Sequence, residues 1–236
     1  MKAVISLLQA LEGKKLLIFD FDGTVANTSP LHAEAFLQVL APLVNSVDYP
    51  SIAGLKTWDA IRQCLNRAGR IFSDAEVQAL VFEKQKLVRK MINQGLEPLP
   101  GVDEFLRWAR PRYRLAMATS GSRGTVSLAL KKLGYFDWFD PLVCSDEVSR
   151  GKPDPACFLQ VLAITGFSAS EALIFEDSDV GIEAAQGAGV SCFDVSGTAI
   201  SIYMPELFGS SKNVAFSQSY SQRYNSHERC TGSCHR

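Results

Sequence analysis

Short, wholly apolar runs are the feature that most constrains the fold of this 236-residue chain. The run Leu16–Phe19 is apolar on both faces of an extended backbone, which is typical of a strand in a parallel sheet covered by helices. Similar runs alternate with segments of helical periodicity, which predicts an α/β fold. The predicted strands are Lys15–Phe19, Arg114–Ala118, Pro141–Cys144, Ala172–Phe175 and Val190–Val195. The predicted helices are Val102–Arg110, Arg123–Leu133, Asp154–Thr165 and Asp179–Ala188.

Residues 29–96 interrupt this alternation. They show amphipathic helical patterns and no strand pattern, so we expect an all-helical insertion between the first two strands. Asn27-Thr28-Ser29-Pro30 and Glu97-Pro98-Leu99-Pro100-Gly101 flank it and are typical of hinges. The helices predicted within it are His32–Leu43, Trp58–Ala68 and Asp74–Asn93. The predicted organisation is an α/β core at residues 1–28 and 97–209, an insertion at 29–96, and a disordered polar tail at 210–236.

Composition excludes several classes of function. The net charge is −1, so we expect no binding of nucleic acid or of an anionic membrane surface. No apolar run approaches the ~20 residues needed to span a bilayer, and residues 1–11 lack the features of a signal peptide. We therefore expect a cytoplasmic, monomeric protein that acts on a small molecule.

The six cysteines fit a reducing compartment. Four of them have apolar neighbours and are predicted to be buried free thiols: Cys64, Cys144, Cys157 and Cys192. Cys230, Cys234 and His235 offer three soft metal ligands near the C-terminus. A structural zinc site needs four ligands in an ordered frame, so we interpret these three as part of the tail.

Chemically active side chains follow the ends of three predicted strands, and a lysine lies in the proline-flanked turn Ser149–Pro155. The residues are, in chain order, Asp20 and Asp22, Thr119 and Ser120, Lys152, and Glu176 and Asp177. Because the carboxyl ends of parallel strands meet at one edge of a sheet, we expect a common site there. Each segment also has a structural interpretation: a turn for the aspartates, helix caps for the hydroxyls and acidic groups, and a solvated lysine.

Four motifs at these positions resemble those of the haloacid dehalogenase-like (HAD) hydrolase superfamily. They are DFDGT at Asp20–Thr24, ATSG at Ala118–Gly121, GKPDP at Gly151–Pro155, and FEDSDVGIEAAQGAG at Phe175–Gly189. The EDS form of the last motif and Pro30-Leu31-His32 are most similar to the group of beta-phosphoglucomutases and sugar-phosphate phosphatases. The resemblance spans about Lys15 to Val195. It implies a Rossmann-like parallel sheet with helices on both faces, over which the helical insertion closes as a cap domain.

The resemblance assigns catalytic roles to four residues. A carboxylate such as Asp20 is ionised at neutral pH and can attack phosphorus to form an aspartyl-phosphate. Asp22 would protonate the leaving oxygen and then deprotonate the incoming nucleophile. Relatives that dehalogenate or cleave phosphonates lack an aspartate at that place, so Asp22 favours phosphate ester chemistry. Thr119 and Lys152 would hold the phosphoryl group.

A cation is expected because several carboxylates would otherwise face a phosphate dianion. Oxygen ligands and a phosphate substrate are typical of Mg²⁺. We assign Asp20, Asp177 and the backbone carbonyl of Asp22 as its ligands. Glu176 is either a ligand through water or an acceptor outside the first coordination sphere. For Asp179 we prefer a helix N-cap to a catalytic role.

Substrate recognition is assigned to the cap and to the loop after the second strand. The candidate substrate-binding residues are His32, Gly54, Lys56, Ser120, Gly121 and Arg123. His32 is either a helix-surface residue or a proton relay, Lys56 is a ligand or simply solvated, and Trp58 is a core residue or a pocket wall. Arg123 would grip a second anionic group or a sugar hydroxyl.

The leading hypothesis is a Mg²⁺-dependent phosphatase for a small sugar or polyol phosphate. The first alternative is a phosphoglucomutase-type transfer to a sugar hydroxyl. Ser122 and Arg123 depart from the mutase pattern, which has lysine and asparagine there, and this favours hydrolysis. The second alternative is a catalytically silent binding protein on the same fold.

Overall fold

Residues 6–41 and 43–196 are described here, from a computed structural model of the protein. All pairs in its sheet are parallel, in the order β3-β2-β1-β4-β5. The strands are β1 Leu16–Phe19, β2 Arg114–Ala118, β3 Leu142–Val143, β4 Ala172–Glu176 and β5 Ser191–Asp194. The predicted α/β class with a parallel sheet is therefore confirmed.

Helices precede, interrupt and follow the strands. The α-helices are α1 Leu7–Leu11, α2 Ser29–Leu40, α3 Thr57–Arg67, α4 Asp74–Gln94, α5 Val102–Ala109, α6 Arg123–Leu133, α7 Ala156–Thr165 and α8 Asp179–Gly187. None of the helices in the described part of the chain is long and apolar enough to cross a membrane.

Side chains alternate across the sheet into two apolar cores. Leu17 and Phe19 of β1 face one core, which also contains the buried faces of α1, α5 and α6. Leu16 and Ile18 face the other, which α7 and α8 cover. Both faces of each central strand are thus buried, which is why these strands are apolar throughout instead of alternating.

The insertion has its own apolar core. α2, α3 and the first half of α4 bury a cluster that includes Phe36, Leu40, Ile61 and Val81. The second half of α4 joins the core of the α/β domain through Val88 and other residues. α4 therefore runs from the cap into the domain below. The two backbone segments that connect the insertion to the α/β domain lie side by side, as the isolated β-bridge between Ala26 and Pro98 shows. The boundaries at residues 29 and 96 stay a prediction.

Several predicted element ends were wrong by one to three residues. α2 begins at Ser29 instead of His32, because Pro30 occupies the first turn of the helix, where no backbone donor is needed. α7 begins at Ala156 instead of Asp154, whose carboxylate accepts from the Ala156 amide at 3.0 Å. β3 is shorter than predicted, and the short helix α1 was not predicted.

The cysteine prediction is correct for three of its four thiols. Cys64, Cys144 and Cys157 are buried and free, whereas Cys192 is only partly buried. Cys230, Cys234 and His235, together with the predicted tail, lie outside the described residues.

Candidate active site

The register of the sheet brings the predicted residues to one edge. Phe19 pairs with Met117 on one side and with Phe175 on the other. Asp20 therefore leaves β1 beside Glu176 of β4, and Thr119 follows β2 at the same edge. This convergence is the one that the strand-end argument predicted.

A buried lysine joins two of these carboxylates. The Nζ of Lys152 donates to Asp20 Oδ1 at 2.7 Å and to Glu176 Oε1. Lys152 is 2% exposed, Asp20 6% and Glu176 0%. Lys152 is therefore not a solvated lysine, and its charge is balanced inside the protein.

Burial and mutual repulsion set the protonation of this cluster. Burial raises the pKa of Asp20 well above its usual value, and Glu176, Asp177 and Asp22 add to this, while Lys152 opposes it. Burial alone would lower the pKa of Lys152, but Asp20 and Glu176 raise it above its usual value, so the ammonium stays charged. Without a further cation, the site holds more negative charge than one lysine can balance.

Asp177 completes an acidic group with Asp20 and Glu176. Within the described ranges these three residues offer oxygen atoms that all lie within 4.8 Å of one another. Thr24 donates to Asp177 Oδ1 at 3.1 Å. Gly23 has φ +82°, and a Cβ there would lie 2.1 Å from Asp177 Oδ2, so glycine is required. The oxygen-only donor set and its excess negative charge fit a hard divalent cation.

Both carboxylate oxygens of Glu176 accept hydrogen bonds from protein donors. Its Oε2 accepts from the amides of Asp177 and Ser178, each at 2.9 Å, and from Ser178 Oγ at 3.0 Å. Its Oε1 accepts from Lys152. Gly181 leaves the space for this carboxylate, since a Cβ there would lie 1.8 Å from it.

The expected capping role of Asp179 is wrong. Ser178 is the N-cap of α8, and its hydroxyl accepts from the Gly181 amide at 3.1 Å. Asp179 is the first residue of the helix and is exposed. A carboxylate there still interacts favourably with the helix dipole.

Asp22 faces the cap and is held by residues from it. Thr28 Oγ1 donates to Asp22 Oδ1 at 2.6 Å, and His32 Nε2 lies 3.2 Å from the same oxygen. The Nδ1 of His32 lies 2.7 Å from Lys84 Nζ. A protonated Lys84 can only donate, so Nδ1 is the acceptor and a neutral ring carries its proton on Nε2, which lies near Asp22 without meeting hydrogen-bond geometry.

Lys84 is a buried lysine at this site that sequence reasoning missed. It is 2% exposed, in the middle of α4, with its Nζ 4.2 Å from the centre of the Phe36 ring. Burial lowers the pKa of Lys84 to about 8, and Asp22 opposes this shift. The available signal was its place in the buried stripe of α4, where it is the charged member among Val77, Val81, Lys84, Val88 and Ile92.

The neighbours of Asp22 keep it ionised. Burial opposes its ionisation, but His32, Thr28 and Lys84 together lower the pKa of Asp22 below its usual value. The two aspartates of the DFDGT motif therefore differ, since the pKa of Asp20 is raised and that of Asp22 is lowered. A nucleophile and a general acid need the opposite order, so a cation beside Asp20 and a phosphate beside Asp22 would have to shift both pKa values.

Thr119 lies opposite Asp22 across Gly121. Thr119 is 2% exposed, and its Oγ1 accepts from the Gly121 amide at 3.1 Å. A Cβ on Gly121 would lie 2.6 Å from a Val126 methyl, 3.4 Å from Thr119 Oγ1 and 3.6 Å from Asp22 Oδ2. Glycine therefore keeps the space between the hydroxyl and the carboxylate open.

A cavity of about 420 Å³ lies between cap and core above Asp20 and Asp22. Of the candidate substrate-binding residues, His32, Gly54, Ser120 and Gly121 line it. The cap adds a mostly apolar wall with two hydroxyl groups: Phe36, Tyr49, Ile52, Ala53, Leu55 and Thr57.

Lys56 and Arg123 do not line this cavity. Lys56 Nζ donates to the Val148 carbonyl at 2.6 Å. Arg123 donates to Glu147 and to the Leu142 carbonyl, each at 2.5 Å. Both cations are thus engaged by the protein in this structure. Trp58 packs against the core of the cap, as the first of its two interpretations expected.

Comparisons with known proteins agree with this geometry. The family profile described as haloacid dehalogenase-like hydrolase matches residues 17–195. Fructose-1-phosphate phosphatase YqaB of Escherichia coli is 35% identical over 182 residues, which are 76% of this chain and 95% of that protein. The phosphorylated carbohydrates phosphatase of Thermotoga maritima is 31% identical over 179 residues, 74% of this chain and 81% of that protein.

A solved structure shares the fold. The crystal structure of CbbY from Rhodobacter sphaeroides in complex with phosphate has a TM-score of 0.70 and 25% sequence identity, and the match covers 78% of this chain and 87% of that chain. The resemblance inferred from the four motifs is confirmed. With the profile spanning most of the chain and relatives above 30% identity, this protein belongs to the haloacid dehalogenase-like hydrolase family.

Proposed function

We propose that this protein is a Mg²⁺-dependent phosphatase that hydrolyses a small sugar or polyol phosphate through an aspartyl-phosphate on Asp20. The buried bond between Lys152 and Asp20, at the floor of a cavity that also exposes Asp22, is the observation that carries the proposal. It combines a nucleophile, a fixed positive charge and a second carboxylate in one place. The named substrates of the two phosphatase relatives support the substrate class.

Asp20 is the nucleophile. Its Oδ1 is held by Lys152, which orients the carboxylate and leaves Oδ2 to attack phosphorus in line with the leaving oxygen. The bond between phosphorus and the substrate oxygen breaks as the acyl phosphate forms. Water then attacks the phosphorus of this intermediate and releases inorganic phosphate and the free Asp20 carboxylate.

Asp22 transfers the protons for both halves of this reaction. Its pKa is low in the free protein, so it must acquire a proton before it can act as an acid. A phosphate dianion beside it raises the pKa of Asp22, so that the carboxylate takes up a proton from solvent, and His32, whose Nε2 lies 3.2 Å from Asp22 Oδ1, positions it. The protonated carboxyl donates to the leaving oxygen and afterwards accepts a proton from the attacking water.

Lys152, Thr119 and backbone amides bind the phosphoryl oxygens. Thr119 donates its hydroxyl, and the amides of Phe21 and Ser120 lie in the same strand-end turns. These donors are fixed before substrate enters, so little reorganisation is needed as charge develops in the transition state. His32, itself held by Lys84, keeps Asp22 oriented toward the cavity.

Mg²⁺ would be held by Asp20, Asp177 and the Asp22 carbonyl. When bound, it neutralises phosphate charge and orients the phosphoryl group. Both carboxylate oxygens of Glu176 accept from protein donors. Glu176 therefore fits a place outside the first coordination sphere better than direct ligation of the metal. It orients Lys152 and the Asp177 loop.

We expect Mg²⁺ to stabilise the metal-free protein. At about 100 times its Kd, a ligand that binds only the folded state adds about 2.7 kcal/mol, or about 5–10 °C in Tm for a chain of this size. Burial, with Glu176 nearby, raises the pKa of Asp177 to about 7, so below that pH a proton competes with the metal. The rise in Tm should therefore be larger at pH 8 than at pH 6.

Differential scanning fluorimetry with and without Mg²⁺ measures this effect. Asp177→Asn should lose most of the rise in Tm, whereas the exposed Asp59→Asn in α3 should keep it. An unchanged rise in Asp177→Asn would remove Asp177 from the ligand set.

Release of inorganic phosphate decides the proposed function. We expect steady release from at least one member of a panel of sugar and polyol monophosphates that includes fructose 1-phosphate. Incubation with beta-glucose 1-phosphate and a trace of the 1,6-bisphosphate is the comparison for the mutase alternative. Accumulation of glucose 6-phosphate with little free phosphate would overturn the phosphatase assignment. No turnover of any compound, with Mg²⁺ present, would instead favour the catalytically silent alternative.

A further inference from the structure

Lys56 reaches from the cap to the loop that carries Lys152. Its Nζ donates to the Val148 carbonyl at 2.6 Å, across 92 positions of sequence. Its methylene groups lie on the backbone of Gly151. Val148 lies at the start of the turn that leads to Lys152, and Gly151 directly precedes Lys152. One cap side chain thus contacts both ends of this turn.

Gly151 has no room for a side chain, and Lys56 is the reason. A Cβ on Gly151 would lie 2.5 Å from Lys56 Cγ and 2.9 Å from Cδ. Gly151 does not have the positive φ that itself demands glycine. The three atoms nearest to a Cβ at this position all belong to the Lys56 side chain. The glycine next to the catalytic lysine is therefore explained by this contact.

The same cap segment also contacts two other loops of the site. The Gly54 carbonyl accepts from Ser120 Oγ at 2.6 Å, next to Thr119. A Cβ on Gly54 would lie 2.5 Å from Ser178 Oγ, whose hydroxyl also bonds Glu176. Residues 54–56 thus touch the loops that carry Thr119, Lys152 and the acidic group.

We propose that Lys56 is a positioning residue that couples closure of the cap to the placement of Lys152. With the cap closed, the bond to Val148 and the packing on Gly151 hold the Lys152 turn against Asp20. With the cap open, both contacts are lost and the turn is less restrained. The kinetic part of this inference rests on the proposed function, because Lys152 acts there on the phosphoryl group.

The hydrogen bond and the packing are tested separately. Lys56→Met keeps the methylene contact but loses the donor, so we expect kcat to fall about tenfold, the factor for one hydrogen bond from a charged group. Lys56→Arg keeps a donor and should recover part of the loss. Lys90→Met, an exposed lysine on α4, is the matched control and should leave kcat unchanged.

A double-mutant cycle tests the contact itself. Gly151→Ala should lower kcat at least as much as Lys56→Met, because the new methyl group displaces the Lys56 side chain. In a Lys56→Ala background the same change should alter kcat by less than about twofold, since the Cγ, Cδ and Cε atoms that the methyl group would meet are then absent. Effects that multiply instead would show that the two residues act independently and would overturn the proposal.

Hydrogen exchange gives a readout that does not depend on enzymatic activity. The backbone amides of residues 148–152 and 154 should exchange about tenfold faster in Lys56→Met than in the wild type, with no such change in Lys90→Met. Unchanged exchange in this segment would overturn the inference even if kcat fell. If no sugar phosphate is hydrolysed, the proposed function fails, while the exchange result still decides whether Lys56 restrains the turn.

Discussion

Replacing Asp20 by asparagine is expected to lower kcat by at least about 10⁴-fold while the fold stays intact. The amide does not attack phosphorus, so the covalent intermediate cannot form. Its carbonyl oxygen still accepts from Lys152, which conserves the buried hydrogen bond. Removing one of several crowded carboxylates also relieves the repulsion that raises the pKa of Asp20. Loss of stability therefore cannot account for the loss of activity.

Phosphate release and Tm are measured on the same preparation. Asp179→Asn is the matched control, since Asp179 is exposed at the start of α8, and it should change kcat by less than about twofold. Acid-quenched wild-type enzyme should carry a phosphoryl group on the peptide that contains Asp20. Turnover near the wild-type rate in Asp20→Asn would disprove the covalent mechanism.

Replacing Lys152 by methionine is expected to lower kcat by about 10²–10³-fold, because a preorganised positive charge is lost from the transition state. It should also destabilise the protein by about 3 kcal/mol, since Asp20 and Glu176 lose their buried partner. Burial already raises the pKa of Asp20 above its unfolded value, and losing Lys152, which opposes that shift, raises it further. The folded state then binds more protons than the unfolded state, so the stability of the variant should fall as pH rises from 5 to 8.

Urea denaturation at pH 5 and pH 8, together with kcat, measures both effects. Lys90→Met, an exposed lysine in the cap, should match the wild type in both measurements. A variant at Lys152 that retains kcat within tenfold of the wild type would contradict its assignment to the phosphoryl group. A loss of stability that is equal at both pH values would contradict the charge argument.

The carboxylates and the lysine that we propose as catalytic were accessible from sequence because their signals are local. Asp20 and Asp22 directly follow a buried apolar strand, and Lys152 lies in a turn whose prolines limit its backbone. Strand-end position and turn chemistry depend on near neighbours in the chain. The parallel sheet then brings such positions together whatever the loop lengths between them.

The roles of Lys56, Lys84 and Arg123 were not accessible in this way. All three are cations in segments near the site, and sequence reasoning placed Lys56 and Arg123 against the substrate. In the structure, Lys56 donates to the Val148 carbonyl, Arg123 to Glu147, and Lys84 contacts His32. The groups that these long side chains contact are distant in the chain. Which groups they contact therefore depends on how the cap packs against the core.

The sequence by itself determined the α/β class, the helical insertion and the set of polar side chains at the strand ends, because periodicity and strand-end position are short-range properties. Only the tertiary structure decided which oxygen of each carboxylate is occupied, that the pKa of Asp20 is raised and that of Asp22 lowered, and that Lys84 lies behind His32. These properties depend on burial and on distances of a few ångströms between residues far apart in the chain. Such distances exist only once the cap and the sheet have packed against each other.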